Sequence, residues 1–185
     1  VHGLVAEAMI RAPGLIREQP HLVTKVVFPL HWLPVSALAT ALIQTALNLI
    51  VLLAAAVLSR GAFDPRMLLA PLTLLPLAVG VLALIWFLAA LGVFVRDSAQ
   101  AVGPLATLLL FFSPVFWPPE ALPENIRAVF SANPLTLPMQ WMRSAVLGLG
   151  DIDWLAWSGY LAIAGLCAVA SLAFFRRLSP GFANE

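Results

Sequence analysis

From Lys25 to Arg60 the chain carries no charged side chain between the two, and charge-free runs recur at Met67–Val95, Ser98–Trp117 and Trp154–Phe175. The apolar part of the first run, Val35 to Leu58, is 24 residues long. As a helix it extends roughly 36 Å, enough to cross a hydrocarbon core of ~30 Å with some tilt. A soluble domain keeps about a quarter of its residues charged to wet its surface; here 10% are charged and 62% are hydrophobic. Most of the surface must therefore meet lipid. The runs are apolar on every side and lack period-two alternation, which favours helices over barrel strands. The expectation is an all-α polytopic membrane protein, one transmembrane domain over residues 1–185, with spans at 35–58, 67–95, 98–117 and 154–175.

The connections between runs differ in kind. Ser59 to Arg66 is a short polar turn, and Arg96-Asp97 is the whole link between the second and third runs. Arg96 would end one helix and Asp97 start the next, each charge favourable to its helix dipole. Asp97 with Gln100 three residues on reads as a capping box. Pro71, Pro76, Gly80 and Pro104 predict kinked spans. Residues 118–150 are too long for a turn and too polar for a span, with Glu120, Glu124, Asn125, Arg127, Asn133 and Arg143. Two helix-like pieces, Glu124–Ala132 and Leu137–Gly148, flank Asn133-Pro134. They read as a re-entrant pair, a shape that survives at membrane depth only when shielded by protein or a water-filled cavity. A fifth span over Ala128–Leu147 is the competing count. With four spans, Arg11, Arg17, Lys25, Arg96, Arg176 and Arg177 share one side, and Arg60, Arg66, Arg127 and Arg143 the other. The positive-inside bias then puts the first set in the cytoplasm and the re-entrant pair on the periplasmic side.

Composition excludes several classes of function. A net charge of +1 with no basic face argues against nucleic acid, and the single cysteine, Cys167, forms no internal disulfide. The chain starts Val1-His2-Gly3, and Arg11 and Arg17 interrupt its first twenty residues, unlike a signal peptide. The three histidines, His2, His21 and His31, form no His-x-x-x-His pair, and the acids scatter among turns. An integral membrane enzyme or a structural scaffold is the alternative of another class. A phosphate-binding loop needs Gly-Lys-[Ser/Thr], and the only lysine, Lys25, follows Thr24. The chain is expected to bind no cofactor and hydrolyse no ATP itself.

Three features bear on transport. Residues 20–29 form an amphipathic stretch, Leu22, Val23, Val26 and Val27 on one face and His21, Thr24 and Lys25 on the other; it fits either the headgroup interface or a cytoplasmic partner. Thr40, Gln44 and Asn48 lie four apart on one stripe, with Thr45 beside them, and such a stripe must face protein or water. Aromatic residues are plentiful, among them Trp86, Phe87, Phe94, Phe111, Phe112, Phe116, Trp117 and Trp141. They serve lipid contact and packing, or the C–H faces of sugar rings; Trp117 and Trp154 would mark the outer interface.

Lys25-Val26-Val27-Phe28-Pro29-Leu30, with Leu33-Pro34 following, resembles the cytoplasmic coupling segment of ABC type-two exporter permeases. The branch it resembles exports lipopolysaccharide O-antigen, capsular polysaccharide and teichoic acid. Leu91 to Asp97 is similar to that branch's hairpin, Ser113-Pro114-Val115-Phe116-Trp117-Pro118 to its turn into the re-entrant region, Asn133-Pro134-Leu135 to the break between its short helices, and Phe175 to Ala183 to its tail. His31 stands where the branch usually has an acid. The family has six spans, so the resemblance makes residues 4–12 the end of the second span, the sequence beginning within it. The resemblance implies a multi-pass inner-membrane permease, a homodimer with the glycan pathway between copies. A separate ATPase subunit would bind ATP and Mg. Lys25, Val27, Phe28, Pro29, His31, Arg96 and Asp97 would couple to that ATPase. Gln44, Asn48, Phe87, Phe94, Phe112, Phe116, Trp117 and Asn133 would line the pathway. A related permease for a drug, lipid or haem is the alternative within transport.

Overall fold

The computed structural model describes residues 1–18, 30–95, 97–113, 133–148 and 150–179, and the regular elements among these are all helical. In chain order the helices are α1 (His2–Arg11), α2 (Trp32–Arg60), α3 (Ala70–Thr73), α4 (Leu75–Phe94), α5 (Ser98–Phe111), α6 (Thr136–Leu147) and α7 (Trp154–Leu178), with 3-10 turns at Ala12–Gly14 and Pro65–Leu69. Among the described residues three stretches are long and apolar enough to cross a membrane: Trp32–Arg60, Pro65–Phe94 and Trp154–Leu178. They coincide with the first, second and fourth charge-free runs.

The third run differs. Its helix, α5, has 14 residues and ends at Phe111, a rise of only ~21 Å. Pro114 follows Ser113 and disfavours a further helical turn, and Asn133 Nδ2 caps this end, donating to the carbonyls of Leu109 at 3.2 Å and Phe112 at 3.0 Å. Residues 114–117, and the expected helical piece Glu124–Ala132, lie outside the described residues. The second expected piece, Leu137–Gly148, is α6 almost residue for residue.

Local chemistry sets the other boundaries. Gly61, at φ 68°, closes α2 in the left-handed conformation open to glycine. Asp64 accepts from Arg66 N at 2.9 Å and starts the Pro65–Leu69 turn. Pro71 and Pro76 donate no backbone hydrogen bond, and the helix breaks between them at Leu74. Pro104, by contrast, sits inside an unbroken α5. Asp153 Oδ1 caps α7, accepting from Leu155 N and Ala156 N at 3.0 Å each, and Arg176 and Arg177 occupy its last turn. The expected capping box is not formed. Asp97 stands at the N-cap of α5 with no side-chain cap hydrogen bond. Ser98 Oγ instead donates back to Val95 O at 2.6 Å.

Helix α4 is the axis of the packing. Val81, Ile85, Ala89 and Ala90 are buried, the first two in a core with Leu4 and Val5 of α1, Val102 and Ala106 of α5, and Met139 and Met142 of α6. A second cluster joins Ile16, Ala89, Ala90 and Val93 to Phe175 of α7. Helices α2 and α7 lie outside, exposing Ile43, Ile50, Val51 and Leu58, and Leu155, Ile163, Leu166 and Val169. In water such faces would drive aggregation; a bilayer solvates them. The chain is a multi-pass membrane protein.

Candidate coupling and translocation surfaces

Two ends of the bundle carry different chemistry. Helix α2 begins where α4 stops. At that end the Trp86 indole N–H donates to the His31 carbonyl at 3.1 Å, and the His31 ring lies 5.9 Å from that of Trp32. The α4 backbone at Gly92 touches the Pro13 backbone so closely that a β-carbon would fall 2.3 Å from the Pro13 carbonyl oxygen. Of the residues expected to couple to an ATPase, His31 is half-buried at this end and Asp97 is exposed. Lys25, Val27, Phe28, Pro29 and Arg96 lie outside the described residues.

At the opposite end α2, the Pro65–Leu69 turn, α6 and α7 converge. The Arg60 guanidinium donates to Leu147 O, a last-turn carbonyl of α6, and Gly148 follows at φ 63°. Arg66 pairs with exposed Asp151 at 3.6 Å, and Trp157 Nε1 donates to Leu72 O at 3.2 Å. Trp154 and Trp157 meet edge to face, centroids 5.9 Å apart.

Among the described residues, those expected along a pathway stand on different helices. Thr40, Gln44 and Asn48 are all exposed on α2. The stripe's hydroxyls are satisfied within the helix, Thr40 to Ser36 O at 3.1 Å and Thr45 to Ala41 O at 2.8 Å. The amides of Gln44 and Asn48 have no hydrogen-bond partner among the described residues. Phe87 and Phe94 are both part-exposed on α4, and Phe87 stacks at a tilt on Phe174 of α7, centroids 5.7 Å apart. Phe112 is part-exposed just past α5. Phe116 and Trp117 lie outside the described residues. Asn133 is buried, and both its amide hydrogens are used: besides those two bonds to the end of α5, its Oδ1 accepts from Leu135 N at 2.9 Å. Its visible work is to clasp the end of α5 to the start of α6. Trp86 and Trp141 are buried as well, Trp141 edge-on to Tyr160 at 5.8 Å.

Two residues that hold this arrangement were not singled out from the sequence for it. Tyr160, the only tyrosine, donates to Pro134 O at 3.0 Å and ties α7 to the Asn133 turn. Arg60 joins the ends of α2 and α6. A phenol in the middle of an apolar run was the available signal, because a hydroxyl at membrane depth needs a partner. No group of three His, Cys, Asp or Glu that would hold a metal occurs among the described residues.

Comparison with known proteins completes the picture. Over 123 residues, 65% of this chain and 47% of the relative, the sequence is 33% identical to the O-antigen export system permease protein RfbA of Myxococcus xanthus. The chain thus spans about half the length of the curated relative it matches. The sequence profile of the ABC-2 type transporters matches residues 3–147, a stretch that runs from α1 to the end of α6, and the chain therefore belongs to the ABC-2 type transporter family.

Proposed function

We propose that this chain is the membrane part of an ATP-driven exporter that moves a lipid-linked polysaccharide, such as O-antigen, capsule or teichoic acid, across the bacterial inner membrane. The observation that carries the reading is its 33% identity to an O-antigen export permease, on a bundle whose three long apolar helices suit a bilayer. ATP and Mg would be bound by a separate ATPase subunit, as kinship with the ABC-2 type transporters and an export-system permease suggests.

In this reading the third charge-free run is a fourth crossing and α6 is the outward limb of a re-entrant pair. Support comes from where α6 is fastened. Its start is clasped to the end of α5 by Asn133, and its finish is held at the end of α2 by Arg60. Twelve residues rise ~18 Å, about half a membrane, so α6 runs from mid-depth to the outer surface. The exposed amides of Gln44 and Asn48 favour a second permease copy or a wet pathway along α2, because hydrocarbon offers them no hydrogen bond. The part-exposed Phe87, Phe94 and Phe112 supply flat faces for sugar rings. Force from the ATPase would enter through residues 20–31 and the Arg96-Asp97 turn.

The test is reconstitution of the permease with its ATPase in vesicles, measuring ATP hydrolysis on addition of an undecaprenyl-linked glycan, a free phospholipid or haem. Stimulation by the glycan alone is expected. Stimulation by haem or phospholipid instead would move the chain to another branch of the same family.

A further inference from the structure

A half-open cavity of about 450 Å³ lies between α4, α7 and the Asn133 turn, within the roughly 300–1,000 Å³ of ligand pockets. One wall is a single face of α7, made by Tyr160, Ile163, Ala164 and Cys167; the opposite wall is Leu77, Val81 and Leu84 of α4. Pro134 and Asn133 close one end. We infer that this cavity is a binding site for an acyl chain of a membrane phospholipid.

The wall offers a resident water few hydrogen-bond partners and no free side-chain N–H or O–H donor. A buried water needs two to four polar partners. Here the Asn133 amide is spent on Leu109, Phe112 and Leu135, and the Tyr160 hydroxyl on Pro134 O. What is left facing the cavity is aliphatic carbon, a thiol and a ring. Left empty, the same space would cost its lining the dispersion contacts of a filled one.

Depth selects the occupant. Tyr160 and Cys167 are the seventh and fourteenth residues of the 25-residue α7, roughly 9 and 20 Å along a helix of about 37 Å. The mouth of the cavity is therefore level with the hydrocarbon core, where acyl chains are the abundant solvent. It opens beside Ile163, 65% exposed, and Cys167, also exposed, on the same helix that leaves Leu166 and Val169 exposed. The cavity is a notch in the exposed apolar surface of a helix long enough to span the membrane. A chain lodged there touches α7 and the turn that starts α6 together, so it braces the Tyr160–Pro134 contact. The inference needs only the membrane location of the chain and is independent of which substrate is exported.

The experiment is native mass spectrometry of the detergent-purified protein after incubation with dioleoyl phosphatidylcholine, under activation that strips the micelle. One retained phospholipid per chain is expected. Cys167→Trp, which fills the notch from its exposed side, should lower retention at least tenfold; Val169→Trp, on the lipid-facing side but outside the lining, should leave it unchanged. Leu84→Trp fills the notch from the other wall and gives the same answer if Cys167→Trp fails to fold. Equal retention in all variants, no retention in the unaltered protein, or retention of polyprenyl phosphate to the exclusion of phosphatidylcholine would each overturn the assignment.

Discussion

Gly92 and Pro13 approach so closely that the Pro13 Cα lies 2.6 Å from where a β-carbon of residue 92 would be. Backbone meets backbone there, so no side chain can swing aside. Gly92→Ala should cost about 1–3 kcal/mol, the usual penalty of overpacking, and lower the thermal midpoint in detergent. Gly103→Ala is the control, because nothing lies within 4 Å of its β-carbon position. There the helix-propensity gain should leave stability equal or slightly higher.

Asn133→Ala removes a buried clasp with three backbone partners. The expected loss is about 1–3 kcal/mol, the lower part of the range reflecting how modest such bonds are inside membranes. Asn133→Asp should be worse than Ala, since it discards the donor and sets an anion at the negative end of α5. Thermal unfolding ranks the two, and hydrogen exchange should locate the loosening at Leu109–Phe112.

Arg60 and Arg66 stand six residues apart and should behave differently. Arg60→Gln frees the last turn of α6 and should speed hydrogen exchange at its C-terminal amides several-fold. Arg66→Ala breaks only an exposed ion pair with Asp151, worth about 0–1 kcal/mol, and should leave the same amides unchanged.

Trp86→Phe keeps a ring in the core and loses the bond to the His31 carbonyl. A stability loss of about 0.5–1.5 kcal/mol is expected. If residues 20–31 receive force from an ATPase, the variant should also lower transport per ATP hydrolysed, read from both rates in the same vesicles.

Gln44→Leu with Asn48→Leu should leave the thermal midpoint of the isolated chain unchanged or raised, because neither amide is bonded among the described residues. Glycan export should fall at least tenfold if those amides line a pathway or join a second copy. Chemical crosslinking of the assembled permease separates the two: loss of the crosslinked dimer marks an interface, its persistence a pathway.

Much of the fold was legible because lipid imposes so blunt a constraint. Absence of charge marked Trp32–Arg60 and Trp154–Leu178 to within a few residues, and Asn133-Pro134 marked the start of α6. Prolines were half legible. Pro71 and Pro76 flank a real break, yet Pro104 interrupts nothing visible. The cap at the end of α5 was not legible, since its amide lies twenty-one residues beyond Phe112 in the chain. Nor was the Asp97 cap: Asp97 and Ser98 compete for the same turn, and only geometry decides that the serine bonds and the aspartate does not. For the candidate surfaces, the exposed stripe on α2 follows from four-residue spacing. Asn133 looks the same in sequence whether it faces a pathway or fastens two helices.

The clasp at Asn133 has a consequence for how such a protein tolerates change. Because Phe112 and Asn133 are held together, the chain between them departs and returns at a single knot. A substitution at Asn133 is therefore felt at the end of α5 and at the start of α6 at once, as one event rather than two.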